Sequence, residues 1–166
     1  MTDIEKIYQQ TILEYNKRKD LKKEIENPSF VERGHNPSCG DDLTLLVRIE
    51  NNLVLDASFI GSGCAISTAS TAMLIDDIKG KNLEEAKKIV ENFFTMMKEH
   101  KEGDFNLLKD AILMEYVRDM PARIKCATLS WHSFEVILDK EKNNEKNNFI
   151  VNFTSLSCFS LNYWFC

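Results

Sequence analysis

The strongest constraint on this chain is a pair of alternating apolar runs joined by two asparagines. Leu43, Leu45, Val47 and Ile49 alternate with Thr44, Leu46, Arg48 and Glu50, and after Asn51-Asn52 the alternation resumes through Leu53, Leu55, Ala57 and Phe59. A period of two is the strand period, and Asn tolerates the positive φ that a two-residue turn demands, so the segment predicts a β-hairpin. Its second strand runs into Gly61-Ser62-Gly63, directly before Cys64. A hairpin brings its own ends together. Cys39 and Asp41, which precede the first strand, and Cys64, which follows the second, are therefore expected at one edge of the sheet.

Most of the remainder reads as helix. Ile4, Ile7, Tyr8, Ile12 and Tyr15 recur at helical spacing behind a Thr2/Glu5 capping box, which predicts a helix over 2–19. Residues 27–42 carry Asn27-Pro28, Gly34, Asn36-Pro37 and Cys39-Gly40-Asp41 and read as loop, with room for a short strand near Phe30-Val31. A helix over 65–79 ends before Gly80, and Asn82 with Glu85 caps another that reaches about His100, before Gly103. Residues 106–118 predict a further helix, and Pro121 opens a last one carrying Ile124, Leu129, Trp131, Phe134, Ile137 and Leu138. This order defines an α+β fold, a small antiparallel sheet (the hairpin plus a possible third strand) packed against several helices. The Lys/Glu/Asn run 139–148 is low-complexity and expected to be disordered. The apolar tail after it, which ends Leu161-Asn162-Tyr163-Trp164-Phe165-Cys166, shows no matching period.

Length and charge narrow the function. A chain of 166 residues is one domain by size, and a net charge of −5 gives no electrostatic basis for gripping nucleic acid. No run of about 18 apolar residues predicts a membrane span. The start, Met1-Thr2-Asp3-Ile4-Glu5, lacks the basic and apolar regions of a leader, so the expected compartment is the cytoplasm. Five cysteines there point to metal binding or catalysis rather than disulfides.

Cys126 arrives from the last helix, and three thiolates with the Asp41 carboxylate would complete a four-coordinate zinc site. With neither a CxxC pair nor an HExxH motif, spacing alone leaves three unrelated buried thiols as the alternative, with Asp41 capping a turn. His35 is an alternative ligand or a solvated loop residue. His132 reads as a surface or core-edge residue, His100 as a helix C-terminal one, and Cys158 and Cys166 as incidental. A cysteine hydrolase with Cys39 as nucleophile and His35 or His132 as base lacks an orienting third member and an oxyanion hole.

Three motifs then take on a collective meaning. Pro37-Ser38-Cys39-Gly40-Asp41, Gly61-Ser62-Gly63-Cys64-Ala65-Ile66-Ser67 and Pro121-Ala122-Arg123-Ile124-Lys125-Cys126-Ala127-Thr128-Leu129-Ser130-Trp131 resemble, in order, the cysteine motifs of the SufU-type branch of the IscU/NifU-like iron–sulfur cluster assembly family. The resemblance spans about residues 1–142 and leaves 143–166 as a linker and tail without an assigned role. IscU-type scaffolds carry His immediately before the third Cys. Here that position is Lys125, and the 61 residues between Cys64 and Cys126 likewise resemble the SufU branch.

The resemblance implies that Cys39, Asp41, Cys64 and Cys126 bind Zn²⁺, and that Cys39 accepts persulfide sulfur from a SufS-type cysteine desulfurase, one of whose histidines replaces it on the zinc. Such a protein is a sulfur acceptor working with its desulfurase rather than a free-standing enzyme, and it feeds downstream assembly or acceptor proteins. The alternative within the family is a scaffold on which a [2Fe–2S] or [4Fe–4S] cluster is built and passed on. Arg123, which could hold a carboxylate or thiolate, and Lys125 are candidate supporting residues. Oligomeric state has no signature in the sequence.

Overall fold

In the computed structural model, which describes residues 3–98 and 105–157, the expected hairpin forms two strands of a three-stranded antiparallel sheet, β1 (Phe30–Asn36), β2 (Asp41–Glu50) and β3 (Leu53–Ser62), in the order β1-β2-β3. Asn51 and Asn52 both take positive φ, 51° and 63°. That is the mirror-image turn whose twist matches the flanking strands.

The segment read as loop is mostly β1. It pairs with β2 from Phe30↔Val47 to Asn36↔Asp41, so a second hairpin precedes the first and Pro37-Ser38-Cys39-Gly40 is its loop. Pro37 presets the first turn position, and the Cys39 N–H closes the turn on the Asn36 carbonyl at 3.3 Å. Gly34 lets the last helix lie against this edge strand, since a Cβ there would sit 2.9 Å from Leu129 Cγ.

Helices cover the sheet. α1 (Asp3–Asn16) is shorter than its sequence pattern, and Thr2 of the expected cap lies outside the described residues. α2 (Ala65–Ile78) is buried along nearly its whole length, packed by the sheet, α1 and α4 (Pro121–Ser157). A small, Ala/Ser/Thr-rich helix suits that position because it admits close neighbours and can bond to them. Ser70 Oγ donates to the Ala127 carbonyl at 2.6 Å and accepts from Trp131 Nε1 at 2.9 Å, while the Thr71 and Ser130 hydroxyls share a 2.6 Å bond. These bonds stitch α2 to α4 in register. Trp131 also stacks flat on Phe93 of α3 (Leu83–Lys98), with ring centroids 3.7 Å apart. The α3 cap is reciprocal, Glu85 N–H to Asn82 Oδ1 at 2.9 Å and Asn82 N–H to the Glu85 carboxylate at 3.2 Å.

Two expectations change. The span 106–118 is not an α-helix but two 3₁₀ segments, Phe105–Leu107 and Asp110–Val117. Leu108, Ala111, Met114 and Val117 are all buried, an apolar period of three, which a helix of three residues per turn places on one face. Nor does the 139–148 run fall into disorder, because α4 continues through it to Ser157. His100, Gly103, Cys158 and Cys166 lie outside the described residues. Among the described residues no helix is long and apolar enough to cross a membrane.

Asp77, near the end of α2, is buried and only half satisfied. Its Oδ1 accepts the Lys109 N–H at 3.4 Å, while Oδ2 has no partner. Burial pushes its carboxyl up to about 7, against the smaller opposing effects of the Lys109 charge and N–H. A carboxyl raised on folding favours the fold fully below the unfolded value of 3.8, and that contribution is lost as pH rises through about 7. Asp77→Asn therefore should raise the urea midpoint at pH 8 by an amount equivalent to about 1–3 kcal/mol. Between pH 4 and 8 the variant's stability should decline less than the wild type's, which urea titrations across that range would measure.

Candidate metal centre

Four structural elements end at one place. Cys39 sits in the β1–β2 hairpin loop, Asp41 begins β2, Cys64 caps α2 beyond the end of β3, and Cys126 lies in the second turn of α4. Gly61 lets the chain turn from β3 toward Cys64. Its φ is 106°, and a Cβ there would fall 2.1 Å from the Asp42 carbonyl oxygen.

The ligand atoms of Cys39, Asp41 and Cys126 lie within 4.8 Å of one another. Cys64 adjoins this trio through its backbone, donating its N–H to Asp41 Oδ1 at 2.7 Å, and its Sγ accepts the Ser67 N–H at 3.4 Å at the start of α2. Asp41 has no exposed surface and Cys126 is buried, whereas Cys39 and Cys64 are half-buried. The site is thus open at the hairpin tip and closed beneath it.

Burial pushes the Cys126 thiol well up, reinforced by hydrogen bonds with Cys39 and Asp41, by the charge of Cys64 and by a hydrogen bond with it. Arg123, exposed one turn before Cys126, points its Nη1 at Cys39 Sγ across 3.7 Å. The thiols hold its guanidinium above the ordinary range, through a hydrogen bond to Cys126 first and the charges of Cys39, Cys64 and Cys126 after it. Tyr8 of α1 packs its ring on Tyr116, centroids 5.4 Å apart. Burial raises its phenol first, and the nearby Cys64 charge adds to this.

This donor set fits a soft-to-borderline divalent ion. Sulfur-rich sites exclude magnesium and calcium, and four ligands around zinc stand about 3.8 Å apart when Zn–S bonds are about 2.3 Å. The trio already approaches that spacing. A buried Cys126 thiol that burial and its neighbours make harder to ionise is one for which a bound cation supplies the missing charge. His35 does not belong to it, for its Nδ1 faces the Asp41 carbonyl at 3.2 Å. His132 pairs instead with Glu135 at 3.3 Å. Lys125 is exposed, turned from Cys126 by the helical rotation between neighbours.

One member of the site had no sequence signal beyond its place before Pro37. Asn36 is buried at the end of β1, and its Nδ2 donates to Asp41 Oδ2 at 3.3 Å and Cys126 Sγ at 3.4 Å. An Asn-Pro pair ordinarily reads as a turn.

An α+β fold that gathers three cysteines and an aspartate at the end of its sheet defines a thiolate-and-carboxylate candidate metal site. Residues 7–127 match the model of the NifU-like N terminal domain, and the chain belongs to that family. It is 38% identical over 140 residues to the zinc-dependent sulfurtransferase SufU of Bacillus subtilis, covering 84% of this chain and 95% of that one. It is 34% identical over 134 residues to the iron–sulfur cluster assembly scaffold protein IscU of Thermotoga maritima, covering 81% and 94%. A solved structure from Fervidobacterium islandicum, an assembly scaffold for the SUF system, superposes with a TM-score of 0.75 at 41% identity over 80% of this chain and 97% of that one.

A metal held at the Cys39, Asp41 and Cys126 cluster has a consequence for stability. Zn²⁺ at about 100 times its dissociation constant should stabilise the metal-free protein by about 2.7 kcal/mol, seen as a higher melting temperature. Cys126→Ala should lose most of that gain.

Proposed function

We propose that this chain is an iron–sulfur cluster assembly protein of the sulfurtransferase kind, accepting persulfide sulfur from a SufS-type cysteine desulfurase at Cys39. Cys39, Asp41, Cys64 and Cys126 are its Zn²⁺ ligands, and the assembly domain covers residues 1–142. The observation that carries this reading is the asymmetry among the ligands. Asp41 and Cys126 are buried and bonded to neighbours, while Cys39 stands half-buried at a hairpin tip, its sulfur facing an exposed arginine. The name of the Bacillus subtilis relative and the Lys125 position support it.

Bound Zn²⁺ would keep these thiols ionised at neutral pH. The chain's own residues do the rest. The Cys39 thiolate attacks the outer sulfur of the partner's cysteine persulfide, a new S–S bond forms at Cys39 Sγ, the partner's S–S bond breaks, and its cysteine leaves as thiolate. No electrons are gained or lost overall. Arg123, 3.7 Å from Cys39 Sγ, balances the negative charge on that sulfur before attack. The hairpin tip keeps the acceptor within a partner's reach, and the buried residues hold the site together when Cys39 moves. Reduced thiols set this activity in the cytoplasm, upstream of assembly and acceptor proteins that take the sulfur onward.

A second reading has support in the Thermotoga maritima and Fervidobacterium islandicum relatives, both named as scaffolds. In it the same residues carry a [2Fe–2S] or [4Fe–4S] cluster as cargo.

The sulfur-transfer reading is tested with the desulfurase and cysteine as substrate. Adding this protein should accelerate sulfide release in the presence of a reductant, and Cys39→Ala should abolish at least about 90% of that acceleration, as expected for loss of a nucleophile. A Cys39→Ala variant that still accelerates the desulfurase fully would refute the acceptor role.

A further inference from the structure

The ligand asymmetry has a physical source in Asn36. A side-chain amide nitrogen carries two hydrogens, and here its two neighbours, the Asp41 carboxylate at 3.3 Å and Cys126 Sγ at 3.4 Å, are both acceptors when ionised. That fixes the orientation of the amide. With Cys64 N–H on the other Asp41 oxygen at 2.7 Å, both carboxylate oxygens are engaged. Cys126 is tied by the same amide to the sheet, 90 residues away in sequence. Cys64 receives the Ser67 N–H at 3.4 Å. Cys39 receives no backbone or amide N–H of this kind among the described residues: its side-chain hydrogen bonds are with the Cys126 thiol and with exposed Arg123 at 3.7 Å.

We infer that Asn36 is a positioning residue that locks Asp41 and Cys126 together as the permanent anchors of the metal site and thereby leaves Cys39 as the thiol free to depart. The inference rests on the metal-site reading above and adds to it a reason why one ligand, and which one, is exchangeable. The mechanism is charge withdrawal plus placement. An N–H···S bond draws electron density from the Cys126 sulfur and holds it in a buried place, whereas Cys39 is half-buried at the hairpin tip. The shared amide also prevents Cys126 and Asp41 from moving independently.

Co²⁺ is the probe, bound to the whole chain without oxygen in place of Zn²⁺. Asn36→Leu keeps the branched shape but removes the donor. It should shift the sulfur-to-cobalt charge-transfer band to lower energy, because the sulfur is no longer drained of charge. It should also weaken Co²⁺ binding about 10–100-fold in competition with a chelator, the usual effect of losing a ligand's hydrogen-bond partner. Limiting iodoacetamide on the Zn²⁺-loaded protein should label Cys39 in the wild type and both Cys39 and Cys126 in the variant. Should Asn36→Leu fold poorly, Asn36→Ala, which removes the donor without adding a charge or a ligand, serves for the same comparison. An unshifted band, or label confined to Cys39 in the variant as in the wild type, overturns the role of Asn36, and so does weaker binding with no band shift, which marks packing alone. A wild-type protein that forms no thiolate–cobalt band would instead refute the metal site itself, and the inference with it.

Discussion

The bond from Cys64 N–H to Asp41 Oδ1, 2.7 Å long, joins the two halves of this structure. Asp41 is the first residue of a strand and Cys64 is the cap of a helix, and neither would define a site alone. A carboxylate with no exposed surface needs its hydrogen bonds made within the protein, because each one missing is costly in a buried setting. Three donors or partners answer that need. Cys64 N–H takes one oxygen and Asn36 the other, and the Cys126 thiol hydrogen-bonds with the group as well. The position of α2 and the end of the β1–β2 hairpin are thus fixed relative to each other. Cys126 is then delivered by the hydroxyl and indole bonds that run between α2 and α4.

Chemically, the same arrangement separates holding from reacting. In the proposed reaction the groups that hold the ion are deep and bonded, and the acceptor thiol is at a loop tip beside an exposed guanidinium. Such a division suits any reaction in which one sulfur is exchanged while an ion stays in place. It also explains why a closed Cys₄ site would serve poorly here, since structural zinc sites offer no ligand that leaves easily.

Much of this was legible in the sequence, and the gaps have physical causes. Asn51-Asn52 set the β2–β3 hairpin, and the hairpin alone placed Cys39, Asp41 and Cys64 at one edge. Cys126 needed the tertiary path of α4, which no local pattern encodes, so the residues alone left it either a fourth ligand or an unrelated thiol, and the motif resemblance implied the ligand. β1 was expected only as a short strand near Phe30-Val31, because Pro28, Gly34 and Asn36-Pro37 are turn residues locally, whereas Gly34 serves close packing and Asn36 a buried bridge. The 3₁₀ segment was misread because an apolar period of three at Leu108, Ala111, Met114 and Val117 resembles a sparse α-helical stripe. The 139–148 run carries no apolar face of its own, and its helix is the continuation of α4, whose earlier turns pack on β1, α2 and α3.

The most direct test of this account is the metal and acid-labile sulfide content of the protein purified without oxygen, beside a Cys126→Ser variant. About one zinc per chain with no sulfide, and loss of that zinc in the variant, is the predicted result. Iron and sulfide in comparable amounts would contradict it and make the site a place where clusters are built.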